Sequence, residues 1–209
     1  TGDLHLKRHA TWGMQAKAEY KARMTDLSKL TNIESDLAKL VLGDAIEEMA
    51  KLDNGSVNLI VSSPPYNIGK IYEREKKLRL DEYLSWQNEV IENASRLLAE
   101  GASICWQTGS FLEDGELFPF DMHFYGMFKK IGLKLRNRII WRFNFGLNSD
   151  KRFSGRYEAV LWFTKGDQYK FNLDPVRIPQ LYPGKRHSAK RNEKAGLPSG
   201  NPLGKNPSD

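Results

Sequence analysis

The stretch Val57-Asn58-Leu59-Ile60-Val61-Ser62-Ser63-Pro64-Pro65-Tyr66-Asn67-Ile68-Gly69 carries the strongest structural signal in this chain. Its apolar half, rich in β-branched residues, reads as a buried strand of a parallel sheet. The run stops at Ser62-Ser63, and two prolines then forbid both a helix and further sheet pairing. The chain therefore leaves the sheet stiffly, with a hydroxyl, a carbonyl and an aromatic face in consecutive positions. In open α/β sheets ligands bind beyond the carboxyl ends of the strands, so this corner is where a site is expected.

Upstream, Leu40-Val41-Leu42-Gly43-Asp44 reads as a short strand ending in a turn, residues 45–52 as a short helix, and Asn54-Gly55-Ser56 as a turn. Asp44 suits the N-cap of that helix. Residues 14–40, rich in Ala, Lys, Glu and Leu, are expected to be helical in pieces. Residues 1–13 show no periodicity, and His5 and His9 have no further ligands nearby to complete a zinc site.

Downstream, the charged residues 70–77 read as a mobile loop. Residues 81–100 form the clearest helix, with Leu80, Tyr83, Leu84, Val90, Ile91, Ala94, Leu97 and Leu98 at three- and four-residue spacing and Gly101 as its end. Residues 102–108 read as the next parallel strand, which makes a right-handed β-α-β unit. Residues 109–119 read as a loop and 120–131 as a helix. Residues 133–143 and 156–165 are two further strands whose short connection favours antiparallel pairing. From 171 onward the composition changes, and Pro, Gly, Lys, Arg and Asn dominate residues 183–209, an extended or disordered segment.

Ser63-Pro64-Pro65-Tyr66, with its preceding strand, Leu42-Gly43-Asp44 upstream and Asn67-Ile68-Gly69 following, resembles the catalytic tetrapeptide of the DNA amino-methyltransferases. In that family the pattern is Asp, Asn or Ser followed by Pro-Pro-Tyr. Its enzymes methylate the exocyclic nitrogen of cytosine (N4) or adenine (N6) from S-adenosylmethionine. The resemblance implies an α/β fold, the Rossmann-like class I methyltransferase three-layer sandwich. Its sheet is mostly parallel with an antiparallel strand near the end, here incomplete. It also implies catalytic roles for Ser63, Pro64, Pro65 and Tyr66, and cofactor contacts at Asp44 and Ser63.

The chemistry suits these residue types. An exocyclic amine is a poor nucleophile because its lone pair is delocalised into the ring, and it must become more tetrahedral to attack a methyl sulfonium. Two acceptors aimed at its N–H bonds favour that change, and the Ser63 hydroxyl and Pro64 carbonyl are suitable. The Tyr66 ring can stack on the base and stabilise its developing positive charge. The implied reaction is in-line methyl transfer with no metal and no covalent enzyme intermediate. Within the family, Ser at the first position goes mainly with cytosine N4, which favours N4 over adenine N6.

With 209 residues and 40% hydrophobic content, the chain suits one domain with a real core. A formal charge of +6 points to a polyanionic partner, and the resemblance implies double-stranded DNA, from which the target base must be flipped. Lys129, Lys130, Lys134, Arg136, Arg138 and Arg142 occur with no acid among them, and Lys185, Arg186, Lys190, Arg191, Lys194 and Lys205 face only Glu193 and Asp209. The candidate DNA contacts are Asn67, Lys70, Arg136, Arg138, Arg142, Lys185, Arg186, Lys190 and Arg191. The division expected is an N-terminal arm and helix (1–39), a partial catalytic core (40–170) and a basic, loop-rich recognition or linker segment (171–209).

One cysteine excludes a disulfide framework and a multi-cysteine metal site. No apolar run approaches the roughly 18 residues of a membrane span, and no signal-peptide pattern is seen. A soluble cytoplasmic protein is expected, bacterial and nucleoid-associated by the resemblance. Cys105, inside a predicted strand, reads as a small core residue rather than the thiolate of a C5-cytosine enzyme. Trp106, Trp141 and Trp162 read mostly as core, with Trp106 placed to line a pocket.

The chain departs from the family in lacking the Phe-x-Gly-x-Gly loop that cradles the cofactor's methionine moiety. Its motif order fits the subgroup in which that loop lies near the C-terminus, so the reading expects either an incomplete chain or a second polypeptide that supplies the loop. The strand at 57–63 would then be an apolar sheet edge. Two other readings stand beside the enzyme: a DNA-binding module or half of a split enzyme, and a Pro-Pro-Tyr ligand for an aromatic groove. The apolar strand before the prolines opposes the last.

Overall fold

A computed structural model describes residues 33–34, 37–68, 78–144, 149–180 and 186. The readings made for residues 1–13, for most of 14–40, for the loop at 70–77 and for Lys70, Lys185, Lys190 and Arg191 fall outside the described residues. The chain forms two compact units, Thr1–Lys51 and Leu52–Asp209.

In the first unit, β1 (Ile33–Glu34) pairs antiparallel with β2 (Lys39–Leu40). Strand therefore replaces the helix expected for this part of residues 14–40. Helix propensity is a weak prior, and a local antiparallel pair overrides it here. Helix α1 (Ala45–Ala50) starts where Asp44 accepts from the backbone N–H of Ile46 at 2.9 Å and of Glu47 at 3.2 Å. The cap satisfies two of the N–H groups that a helix start leaves unpaired.

The second unit is built on a four-stranded sheet of β3 (Val57–Ser62), β4 (Leu98–Thr108), β7 (Lys134–Arg142) and β8 (Tyr157–Thr164), in the order β3-β4-β8-β7. Strands β3 and β4 are parallel and joined through α2 (Leu80–Leu97), the β-α-β unit that the periodicity predicts. β4–β8 and β8–β7 are antiparallel. The sheet is thus mixed, with one parallel pairing among the three described, because the short link from β7 to β8 allows only a reversal of direction.

Helix α2 buries Tyr83, Gln87, Ile91, Ala94, Ser95 and Leu97, the stripe expected of an amphipathic helix. Helix α3 (Phe120–Lys130) buries Phe120, Phe124 and Phe128 at four-residue spacing. Both helices pack on the sheet face formed by Ala102, Ile104, Trp106, Leu161 and Phe163. Tyr83 meets Phe120 at 4.9 Å between ring centres, Trp106 meets Phe128 edge-on at 5.8 Å, and Phe128 meets Phe163 at 4.7 Å. Each fully buried side chain of this size contributes roughly 1.5–3 kcal/mol, so this aromatic layer is the main source of cohesion in the unit.

The end of α2 differs from expectation. The helix gives way to β4 at Leu98, and Gly101 lies inside that strand with φ +78°. Val57 registers with Leu98 but Leu59 with Ser103, so Gly101 sits in a bulge of β4. A Cβ at Gly101 would stand 2.2 Å from the Gln168 carbonyl oxygen. Residues 109–119 also differ: β5 (Ser110–Glu113) and β6 (Glu116–Pro119) form a hairpin closed by Asp114 (φ 49°) and Gly115 (φ 83°). Asp-Gly with both residues at positive φ is the favoured two-residue hairpin turn.

Three aromatic and thiol assignments shift in detail. Trp106 is 1% exposed and belongs to the core, so it lines no pocket. Trp141 is 60% exposed, because β7 is the outer strand of the described sheet. Cys105 is half-buried on the sheet face opposite the helices, where burial pushes its thiol above the ordinary range.

Candidate functional site

Ser62 is the last residue of β3 and registers with Trp106 of β4. Beyond it the chain steps off the sheet at Ser63, whose side chain is exposed, while Pro64 is buried and Tyr66 half-buried. The prolines have no N–H to pair, and the turn is held by contacts from residues elsewhere in the chain. Tyr83 of α2 donates its hydroxyl to the Pro65 carbonyl at 2.7 Å. The Tyr66 ring lies against the backbone where β4 ends: a Cβ on Gly109 would be 3.4 Å from the ring. Asn67, buried and at φ +58°, donates to the Leu78 carbonyl at 2.9 Å and accepts from the Leu78 N–H at 2.7 Å. This amide clasp holds Leu78 against the turn, and asparagine tolerates the left-handed backbone it requires.

The hydroxyls of Ser63 and Tyr66 are 3.1 Å apart. Tyr66 donates to Glu158 Oε2 at 3.2 Å, and Gln107 Nε2 donates to the same oxygen at 2.6 Å. Gln107 lies near the end of β4, and Glu158 lies near the start of the antiparallel β8. Three strands therefore deliver polar groups to one corner, at the carboxyl ends of β3 and β4. Composition and motif gave no hint of Glu158, Gln107 or Tyr83. The available signal was positional: Gln107 sits one residue before the end of a predicted strand, where α/β sheets place their ligands.

The Pro65 carbonyl is taken by Tyr83, and among the described residues no donor to the Pro64 carbonyl is found. The Ser63 hydroxyl, the Pro64 carbonyl and the Tyr66 ring, which the sequence singles out together, thus remain in one turn. At Asp44 both backbone donors fall on Oδ1, which leaves Oδ2 able to accept a hydroxyl or amine.

The candidate DNA contacts separate into groups. The Asn67 amide is spent on Leu78. Arg136 donates to Thr164 Oγ1 at 2.8 Å, to the Gly166 carbonyl at 2.9 Å and to Asp167 at 2.9 Å, with its guanidinium 4.3 Å above the Tyr169 ring. Lys134 also pairs with Asp167. These two cations hold the Asp167 carboxyl below the usual carboxylate range. Arg138 pairs at 2.5 Å with the buried Asp121 of α3, whose hydrogen bond raises the guanidinium further above its ordinary value. Arg136 and Arg138 are therefore engaged in holding β7 in place. Arg142 and Arg186 are exposed. No helix among the described residues is long and apolar enough to cross a membrane.

A family model described as DNA methylase, of the N6/N4 methyltransferases, matches residues 57–209. The type II methyltransferase M.BglII of Bacillus subtilis is 45% identical over 174 residues, 83% of this chain and 47% of that protein. The type II methyltransferase M.ScaI of Streptomyces caespitosus is 31% identical over 210 residues, 97% of this chain and 64% of that one. Among solved structures, the PvuII DNA methyltransferase, described as cytosine-N4-specific, superposes with a TM-score of 0.56 at 20% identity, covering 66% of this chain and 52% of that chain. The likeness shows the α/β methyltransferase fold. The chain spans roughly half to two-thirds of the length of these relatives. With the matched region beginning at β3 and including the diproline turn that closes it, this chain belongs to the N6/N4 DNA methylase family.

Proposed function

We propose that the protein takes part in S-adenosylmethionine-dependent methylation of DNA at the exocyclic amine of a flipped base, with cytosine N4 as the favoured target. The observation that carries this reading is the turn at Ser63–Tyr66, where an exposed serine hydrogen-bonded to Tyr66, a diproline braced by Tyr83 and an aromatic ring stand together just beyond the carboxyl end of β3. Family membership supports the reaction class, and the family's description as DNA methylase supports DNA as substrate. The first tetrapeptide position, Ser63, supports N4.

When bound, S-adenosylmethionine supplies an electrophilic methyl group on a sulfonium. On the diproline turn the Ser63 hydroxyl can accept an amine proton of such a group; Asp44, in the other unit, caps α1 through Oδ1 alone. Toward the base, the Ser63 hydroxyl and Pro64 carbonyl accept the two N–H bonds, which drives the amine nitrogen toward a tetrahedral shape with an available lone pair. The Tyr66 ring covers the base face, fixes its plane and attracts the charge that develops in it. The prolines and the Tyr83–Pro65 hydrogen bond keep this arrangement formed before substrate arrives, so its geometry requires little reorganisation.

Arg142 and Arg186 are the proposed phosphate contacts among the described residues, joined by Lys70, Lys185, Lys190 and Arg191. The deciding experiment is incubation of the complete protein with DNA and labelled cofactor, followed by mass spectrometry of the nucleosides. N4-methylcytosine is expected. N6-methyladenine would move the target to the other amine, and unmodified DNA that still binds the protein would leave a recognition subunit in place of an enzyme.

A further inference from the structure

The corner holds one group with no part in the reading above. Glu158 Oε2 receives two donors at once, Gln107 Nε2 at 2.6 Å and the Tyr66 hydroxyl at 3.2 Å, and Tyr66 in turn stands 3.1 Å from the Ser63 hydroxyl. A carboxylate can only accept, whereas a phenol and a serine hydroxyl can each donate or accept. The direction of the chain therefore follows from its charged end.

We propose that Glu158 is a positioning residue that sets the polarity of a hydrogen-bond relay, Ser63 to Tyr66 to Glu158, and thereby keeps Ser63 an acceptor toward the substrate amine. The inference rests on the methyl-transfer reading. The phenol has one proton, and Glu158 takes it. Toward Ser63 the phenol oxygen then offers only lone pairs, so the Ser63 proton points inward to Tyr66. The Ser63 lone pairs are left facing outward, where the amine brings N–H donors. Without the carboxylate, the phenol can donate to Ser63, and the serine proton turns outward to face another donor. Gln107 anchors the carboxylate on the face that β4 and β8 share, so its oxygen is fixed relative to the ring. No proton leaves the chain in this scheme, and the relay acts by orientation alone.

The expected behaviour is that of one linked unit. E158Q keeps the size of the side chain and removes its charge; Y66F keeps the ring and removes the linking hydroxyl. Each should lower kcat about tenfold, the worth of one hydrogen bond to a charged group, with KM for DNA little changed. The double variant E158Q/Y66F should be no slower than Y66F, since both substitutions break the same chain. Independent losses that multiply to about a hundredfold would overturn the relay.

A second readout needs no turnover. With ¹³Cζ-labelled tyrosine, assigned through Y66F, the Tyr66 resonance should move in E158Q, which removes its charged acceptor. It should move in the opposite direction in S63A, which removes the donor to its oxygen. A resonance indifferent to either change refutes the relay whether or not the protein methylates DNA. A wild-type protein without activity, but with the expected resonance shifts, would instead sink the functional reading and leave the relay standing.

Discussion

Tyr66 shows how much one side chain can be asked to do when its backbone is held rigid. Its ring rests on the Gly109 backbone, its hydroxyl reaches Ser63 and Glu158, and the diproline before it removes the freedom to swing away. Tyr66→Ala should therefore leave the circular dichroism spectrum unchanged while lowering methylation roughly 10- to 100-fold, the value of one base–aromatic stack. Normal turnover in that variant would take the ring out of the mechanism. Cys105 offers a contrast, because its position is set by burial alone. Burial pushes its thiol up, so the folded protein holds that proton to higher pH than the unfolded chain does. Any stability tied to the neutral thiol is kept below the unfolded value of about 8.5 and lost as pH rises past it. Iodoacetamide at pH 8 should accordingly label Cys105 slowly in the native protein and quickly in urea; equal rates would place the thiol in open solvent.

At the level of strands and helices, the outcome depended on whether a short signal was local or needed a partner. Helix α2 was legible because its apolar stripe repeats over eighteen residues, yet its end was not, since Gly101 answers to a neighbour across the sheet. Its N–H donates to the Lys165 carbonyl at 2.8 Å and its Cα faces the Gln168 carbonyl. Gly101→Ala combines a left-handed backbone with a collision against a fixed carbonyl, and should cost about 2–5 kcal/mol. A urea melt that shifts by less than 1 kcal/mol would show the bulge to be soft. The β5–β6 hairpin is a different lesson. Asp114-Gly115 is a strong local turn signal, and the segment was legible in principle. The basic run of β7 was misleading for the opposite reason: charge alone does not say whether Arg138 faces phosphate or Asp121.

For the whole molecule, the charge of +6 bears on binding, and the internal pairs found at Arg136 and Arg138 reduce the number of cations left to meet DNA. Affinity should still fall with rising salt, since each phosphate neutralised releases counterions. Arg142→Ala should flatten the slope of log affinity against log salt by about one, whereas Arg136→Ala should act chiefly on thermal stability. A salt-independent affinity would deny the exposed basic residues their role. On the other side of the sheet, β3 is the outer strand of the described residues, with Leu59 58% and Val61 72% exposed, where its apolar run alone reads as a buried strand; no neighbour covers that edge among the described residues.

Local covalent and periodic constraints determined the β3–diproline corner, the α2 stripe and the antiparallel return of β7 and β8, because each is written within a few adjacent residues. Only the tertiary structure decided that Glu158, ninety-two positions from Tyr66, completes the same corner, that Tyr83 braces its turn, and that two candidate phosphate contacts are spent on internal pairs. The physical reason is that a hydrogen bond between distant residues leaves no periodicity: it arises from strand order and register, and these exist once the sheet has formed.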